Sequence, residues 1–143
     1  MKPSRRALLV APAAFAAAAF AAPSDETTAF VRRLYARERA LPGEMSGRLL
    51  RLFDEDARRG VHRAEFYWLH GGQSAPAVSG LRVHTLNVSG TASAAVQARF
   101  LNHGRETYRR FHLIREDGRW VIDDVWMRPE DVGLVEVLAG QGA

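Results

Sequence analysis

A carboxylate set among apolar side chains is the first residue in this chain that could do chemistry, and Asp124 is in that position. The stretch Tyr108 to Trp126, YRRFHLIREDGRWVIDDVW, alternates apolar and polar side chains on both sides of Asp117-Gly118. Asp-Gly supplies the two positive φ angles of a type I′ turn, so the stretch reads as a hairpin with a two-residue loop. That register sets Glu116 opposite Arg119 and Leu113 opposite Ile122. It also puts Phe111, Leu113, Trp120, Ile122 and Trp126 on one face, with Asp124 among them. A three-residue loop would pair Arg115 with Arg119, a like-charge contact, and is disfavoured. A carboxylate on an apolar face needs hydrogen bonds, a cation or a wet pocket, and Arg99 and Arg109 are the candidate cations. In an apolar setting with arginine held away, Asp124 would have a raised pKa and could act as a general base; a close arginine would lower it. The structural account, a salt bridge at the sheet rim or a bulge that turns Asp124 outward, carries more weight. Asp123 adjoins Asp124, and neighbours in a strand face opposite ways, so the two make a poor acid/base pair.

Trp68, Tyr67 and Gln73 could line a pocket with an aromatic wall and an orienting amide, although core filling explains the aromatics at least as well. The expected site is a mouth bounded by Trp68, Gln73, Arg99, Arg109 and Asp124, suited to a small apolar or anionic ligand. Of the histidines, His62 stands three residues before Glu65 with His70 nearby, a spacing that could hold zinc, but no metal motif is present and surface or hydrogen-bonded histidines are preferred. No metal or other cofactor is expected. No serine occupies a strand-to-helix nucleophile turn, so no Ser/His/Asp triad can be assembled. Asn87-Val88-Ser89 matches a glycosylation sequon within an expected strand and is taken as accidental.

The elements that must carry these residues are legible from periodicity. Ser24 is the expected N-cap of a first helix with Asp25 and Glu26 in its first turn; Phe30, Val31, Leu34, Tyr35 and Leu41 form its apolar stripe, and Pro42-Gly43 stops it. Ser46 caps a second helix with Leu49, Leu50, Phe53 and Ala57 buried and Gly60 left-handed after it. Val61 to Leu69 fits either a short helix or a buried turn, and His70 to Gly80 reads as an ordered loop that could form the lip of a pocket. The period then changes to two. Strands are expected over Leu81 to Val88 and Ala94 to Leu101, the latter with Val96, Ala98 and Phe100 on one face and Gln97 and Arg99 on the other. Asn102-His103-Gly104 turns the chain into the hairpin, Pro129 ends its last strand, and Val132, Leu134, Val135 and Leu138 suit a short closing helix. Helices followed by strands predict an α+β domain, N-terminal helices packed on a curved antiparallel sheet of about four strands.

The first 21 residues read as a signal peptide. Lys2, Arg5 and Arg6 precede an apolar run from Ala7 to Phe20, and Ala19-Phe20-Ala21 supplies small residues for cleavage after Ala21. The run is shorter than the roughly 18 to 20 residues that span a bilayer, so no stable membrane anchor is expected after cleavage. Arg5-Arg6 fits either the Sec or the twin-arginine route, with a periplasmic or secreted product. The remainder, 22–143, has the size of one domain. Removing Lys2, Arg5 and Arg6 from the 20 basic residues leaves 17 against 16 acidic ones. A near-neutral chain with scattered arginine pairs does not make a nucleic-acid surface. Without cysteine, the fold rests on its core alone.

The order of elements and the run Gly118-Arg119-Trp120-Val121-Ile122-Asp123-Asp124-Val125 resemble the last hairpin of the nuclear transport factor 2-like superfamily, the cystatin-like cone. The exported leader, Phe30-Val31-Arg32-Arg33-Leu34-Tyr35, Gly72-Gln73, Ala98-Arg99-Phe100-Leu101-Asn102 and the Trp-x-Ile-Asp-Asp ending resemble the exported bacterial family termed domain of unknown function 3828. The resemblance implies a bent sheet around its helices, with a mouth that often holds a small apolar ligand. Ser74 follows Gln73 where that family has an acidic residue, so a carboxylate is not expected there. Superfamily members include isomerases and dehydratases as well as proteins that only bind or pair, so the fold does not decide the function. The sequence favours an exported small-ligand-binding or accessory module. The alternatives are a cofactor-free isomerase, dehydratase or hydrolase using Asp124, and a protein-interaction module, such as a homodimer, pairing through His84, Arg110, His112 and Ile114 on the outer sheet face.

Overall fold

Helix α1 covers Pro23–Arg37 and begins with Pro23 in its first turn, where the missing N–H costs nothing. The computed structural model describes residues 22–60, 68–72, 74–128 and 130–140. The N-cap is Ala22, with no side-chain cap bond, so the capping role expected of Ser24 is not filled. The helix also stops short of Leu41. Glu38 takes a left-handed conformation (φ 61°), its N–H donating to the Tyr35 carbonyl, and Leu41 is left exposed beside a 3-10 turn at Pro42–Glu44. Arg37 holds that turn by donating to both oxygens of Glu44 at 3.1 and 2.6 Å.

Helix α2, Gly47–Arg58, is capped as expected: Ser46 Oγ accepts from the Leu49 N–H at 3.1 Å and donates to Asp123 Oδ1 at 2.8 Å. Gly60 follows in the left-handed region. The inward residues are Leu49, Leu52, Phe53 and Asp56; Ala57, expected in the stripe, is exposed. Residues 61–67, which include Tyr67, His62 and Glu65, lie outside the described residues, as do Gln73 and Pro129.

Strands β1 (Val78–Ser89), β2 (Ser93–Asn102), β3 (Arg105–Glu116), β4 (Arg119–Arg128) and β5 (Val132–Gly133) form one antiparallel sheet in chain order, followed by helix α3 at Leu134–Leu138. The fifth strand, not foreseen, is only two residues long. Asp117 and Gly118 have the expected positive φ angles (51° and 74°), with Glu116 opposite Arg119 and Leu113 opposite Ile122. Beyond that point the register shifts. His112 faces Asp124 and Phe111 faces Val125, so one extra residue, Asp123, makes a β-bulge. The bulge moves Val125 and Met127 onto the buried face and turns Asp124 and Trp126 to the other, which corrects the face expected for Trp126 and gives Asp124 the outward bulge of its structural account. Two further register shifts in β1, between Ser79 and Arg82 and between Thr85 and Asn87, bend the opposite edge.

The helices pack on one side of this curved sheet. Phe30, Val31, Leu34 and Tyr35 of α1 meet Val83, Val96, Ala98, Phe100, Phe111, Leu113 and Ile122, and Leu134 and Leu138 of α3 close the end of the same core. A polar cluster seats the start of α1: Thr85 Oγ1 donates to the Ser24 carbonyl at 3.0 Å and lies 2.9 and 2.8 Å from the hydroxyls of Thr27 and Thr28.

Candidate functional site

The residues expected to share one mouth are divided among three places. Trp68 and Arg109 meet inside the core. Arg109 pairs across the sheet with Ala98 and Met127, both inward, and its side chain has no exposed surface. Its Nε donates to the Trp68 carbonyl at 2.8 Å, and Nη1 donates to the carbonyls of Tyr108 and Arg128, both at 2.9 Å. Glu130 stands 3.6 Å from Nη1. Burial pulls the guanidinium pKa below its ordinary value, and the negative charge of nearby Glu130 works against that. The planar fork collects three backbone carbonyls and ties residue 68 to β3 and to the end of β4. Gly71 lies directly over it. A Cβ there would stand 3.1 Å from Nη2 and would need a φ of +75°, so this place requires glycine.

Asn102, buried at the end of β2, holds the rest of the loop. Its amide donates to the carbonyls of His70 and Gly71 at 3.1 and 2.8 Å and its oxygen accepts from the Ala77 N–H at 2.9 Å. Tyr35 packs edge-on against His70 (5.7 Å between centroids) and donates its hydroxyl to the Leu69 carbonyl at 3.1 Å. Burial raises the Tyr35 pKa, so this phenol stays protonated and remains a donor. Half-buried His70 leaves Nε2 enclosed with no hydrogen-bond partner among the described residues. Its pKa is lowered by burial first, with Glu38 opposing and Arg109 adding to the shift. The folded state therefore resists a proton that the unfolded chain accepts near the ordinary value of 6.5, and stability should fall as pH drops through that value. His70→Gln should flatten this component, read as the difference between the two proteins' urea midpoints from pH 8 to about pH 5. Parallel curves would mean that His70 titrates alike in both states.

Asp124 is at the rim. Its Oδ1 accepts from the N–H groups of Val125 at 2.8 Å and Val135 at 3.0 Å. The second bond caps the first turn of α3 from outside that helix, since β5 pairs only as far as Trp126 with Gly133 and the carboxylate takes the next position along the edge. A Cβ on Gly133 would lie 3.4 Å from Oδ2. Neither arginine once paired with Asp124 is its partner: Arg109 is in the core, and Arg99 is exposed in a different cross-strand row. Bulged Asp123 binds α2, accepting from Ser46 and from Arg48 at 3.2 and 2.8 Å.

The third place is the outer sheet face, where Arg99 belongs to a row that periodicity alone did not reveal. Arg82 faces Arg99, Arg99 faces Tyr108, and Tyr108 faces Arg128, across β1 to β4. The guanidinium carbons of Arg99 and Arg128 lie 5.5 and 5.6 Å from the Tyr108 ring centre. These four residues, with Gly80, Leu101 and Glu106, line a cleft of about 590 Å³. Among the described residues neither Arg82 nor Arg99 has an ion-pair partner, while Arg128 is 3.5 Å from Asp131 with both side chains largely in solvent. The two-residue turn at His103-Gly104 could have set Arg99 opposite Tyr108 from sequence. Arg82 and Arg128 could not be added, because bulges in β1 and β4 intervene.

A larger groove of about 760 Å³ runs between α1 and the β3–β4 turn, over Phe30 and Trp120. Part of its charge is satisfied internally: Glu26 accepts from Arg115 at 3.1 Å and from the Trp120 indole at 3.3 Å. On the outer face, His84 and His112 are exposed and Arg110 and Ile114 are half-buried. Its exposed large apolar side chains, among the described residues, are Leu86 and Leu101, which do not make a continuous patch. No protein-family model matches the chain, and no curated protein matches it in sequence. The class defined here is an α+β domain with an open antiparallel sheet, helices packed on one side and an arginine-lined cleft on the other.

Proposed function

We propose that this protein is an exported, single-domain binding or accessory module whose ligand is anionic and is met on the outer sheet face. The carrying observation is the direct cross-strand pairing of Arg82 with Arg99, with no acidic partner for either among the described residues. Like charges directly opposite one another weaken a sheet, so their retention is accounted for if an anion completes the site. A cleft of this size suits a small molecule. Export is inferred from the charged and apolar leader of residues 1–21. The general-base alternative has less support, because Asp124 Oδ1 serves as the acceptor of two backbone N–H groups and Asp124 lines neither of the two clefts described above.

The test is a thermal-shift comparison of small anionic and small neutral apolar compounds on the full chain and on Arg99→Gln. Anionic compounds should raise Tm by several degrees at a hundredfold excess over Kd, where linkage supplies about 2.7 kcal/mol, and Arg99→Gln should abolish the shift. A response to apolar compounds alone, unchanged in Arg99→Gln, would overturn this reading.

A further inference from the structure

Resting on that reading, we infer that the outer cleft takes a phosphate monoester carrying a second anionic group, the phosphoryl group lying between Arg82 and Arg99 and the second group at Arg128. Two adjacent strands are about 4.8 Å apart, so Arg82 and Arg99 can close on one oxyanion, whereas Arg128 stands two strand spacings, roughly 10 Å, from Arg99. A phosphate monoester carries a charge of about −1.5 to −2 near neutral pH, and that matches two guanidinium groups with no ion pair among the described residues better than a carboxylate or a sulfate ester, each with one charge. Guanidinium forks also fit phosphoryl oxygens in pairs. Gly80, with φ +63° and open space where a Cβ would be, leaves the Arg82 end of the cleft without a side chain. Tyr108 occupies the third position of the row and packs against the guanidinium groups on both sides, which restrains them before a ligand arrives. At the far end, Asp131 is a weak, solvated partner of Arg128 that a ligand anion can displace. Glu106 lines the same cleft beside Leu101, in the next row outward from Tyr108. It sets a limit: charge on the ligand is favoured along the arginine row and disfavoured beyond it.

Calorimetric titration of the full chain should compare an alkyl phosphate, the alkyl sulfate of the same chain, and an alkane-α,ω-bisphosphate long enough to reach between the two positions. The phosphate ester should bind more tightly than the sulfate ester and lose that advantage as pH falls through about 6, where the second phosphate proton returns. The bisphosphate should gain about tenfold or more over the monophosphate through the tethered second contact. Arg128→Ala should remove most of this gain and weaken the monophosphate far less than the bisphosphate, whereas Arg82→Ala or Arg99→Ala should weaken both to a similar degree. Arg82→Ala should also leave Tm unchanged or raise it in the absence of ligand, which separates a lost contact from a lost fold. Sulfate and phosphate esters of equal affinity, or a bisphosphate with no gain, would overturn the inference while leaving an anion site in place. If none of the three binds, the anion-binding reading itself falls.

Discussion

Replacing Arg109 with methionine should cost about 3–5 kcal/mol of stability, the range for breaking a buried charge arrangement, and should lower Tm by about 9–25 °C at roughly 3–5 °C per kcal/mol for a domain of this size. The side chain is fully enclosed and donates to three carbonyls, of Trp68, Tyr108 and Arg128. Methionine fills much of the space and supplies no donor, so those oxygens lose their partner in a place that water reaches poorly. Arg109→Lys should restore little, because one ammonium cannot span carbonyls that approach from three directions. Urea unfolding of both variants measures this directly. Amide exchange at residues 68–72 should accelerate in parallel, since the Trp68 carbonyl is one of the points, beside the Asn102 bonds to His70 and Gly71, at which that loop is tied to the sheet. A loss below about 1 kcal/mol would show that the clamp is dispensable. A ligand-contacting arginine would behave differently: binding would be lost and stability kept.

The second large effect is expected at Asp124. Asp124→Ala should destabilise by about 1–3 kcal/mol, because it removes an N-terminal cap, usually worth about 0.5–2 kcal/mol, together with the bond to Val125. The consequence extends beyond five residues of helix. Leu134 and Leu138 of α3 are both fully buried, and Arg59 anchors the far end of α3 by donating to the Leu138 carbonyl at 2.6 Å. Asp124→Asn keeps a carbonyl oxygen in the same place and should recover most of the loss, to within about 1 kcal/mol of the parent. Chemical denaturation of the three proteins separates capping from catalysis. A general base would tolerate Asp124→Asn no better than Asp124→Ala in turnover, whereas a cap distinguishes the two in stability. Equal destabilisation by both variants would mean that the negative charge, rather than the acceptor oxygen, holds α3.

Local chemistry decided much of this fold before any tertiary contact was known. Asp117-Gly118 determined the hairpin turn and its first four pairs, because few other residue pairs adopt two successive left-handed conformations at low cost. Ser46 determined the start of α2, and the alternation in Ala94 to Leu101 determined which side of β2 faces the core. These signals act over a few residues, and the tertiary structure left them intact. Helix ends fared less well. Ser24 and Leu41 lost their expected roles because Pro23 can open a helix without a cap and Glu38 can close one through backbone geometry alone.

Only the tertiary structure decided the site. A single inserted residue, Asp123, reverses the facing of everything after it, so Asp124 and Trp126 exchange sides with Val125 and Met127. That insertion is stabilised by Ser46 and Arg48, more than 70 residues earlier in the chain, and no periodicity in the strand itself records it. The same holds for the two arginines named together at the outset. Arg99 and Arg109 have the same charge and similar strand surroundings, yet one lies in solvent and the other is enclosed. The difference lies in their partners: the carbonyls of residues 68, 108 and 128 converge on Arg109 only when the loop, β3 and the end of β4 are assembled. Burying a guanidinium is unfavourable until that convergence exists, so its place was set by the assembled backbone rather than by its own residue type.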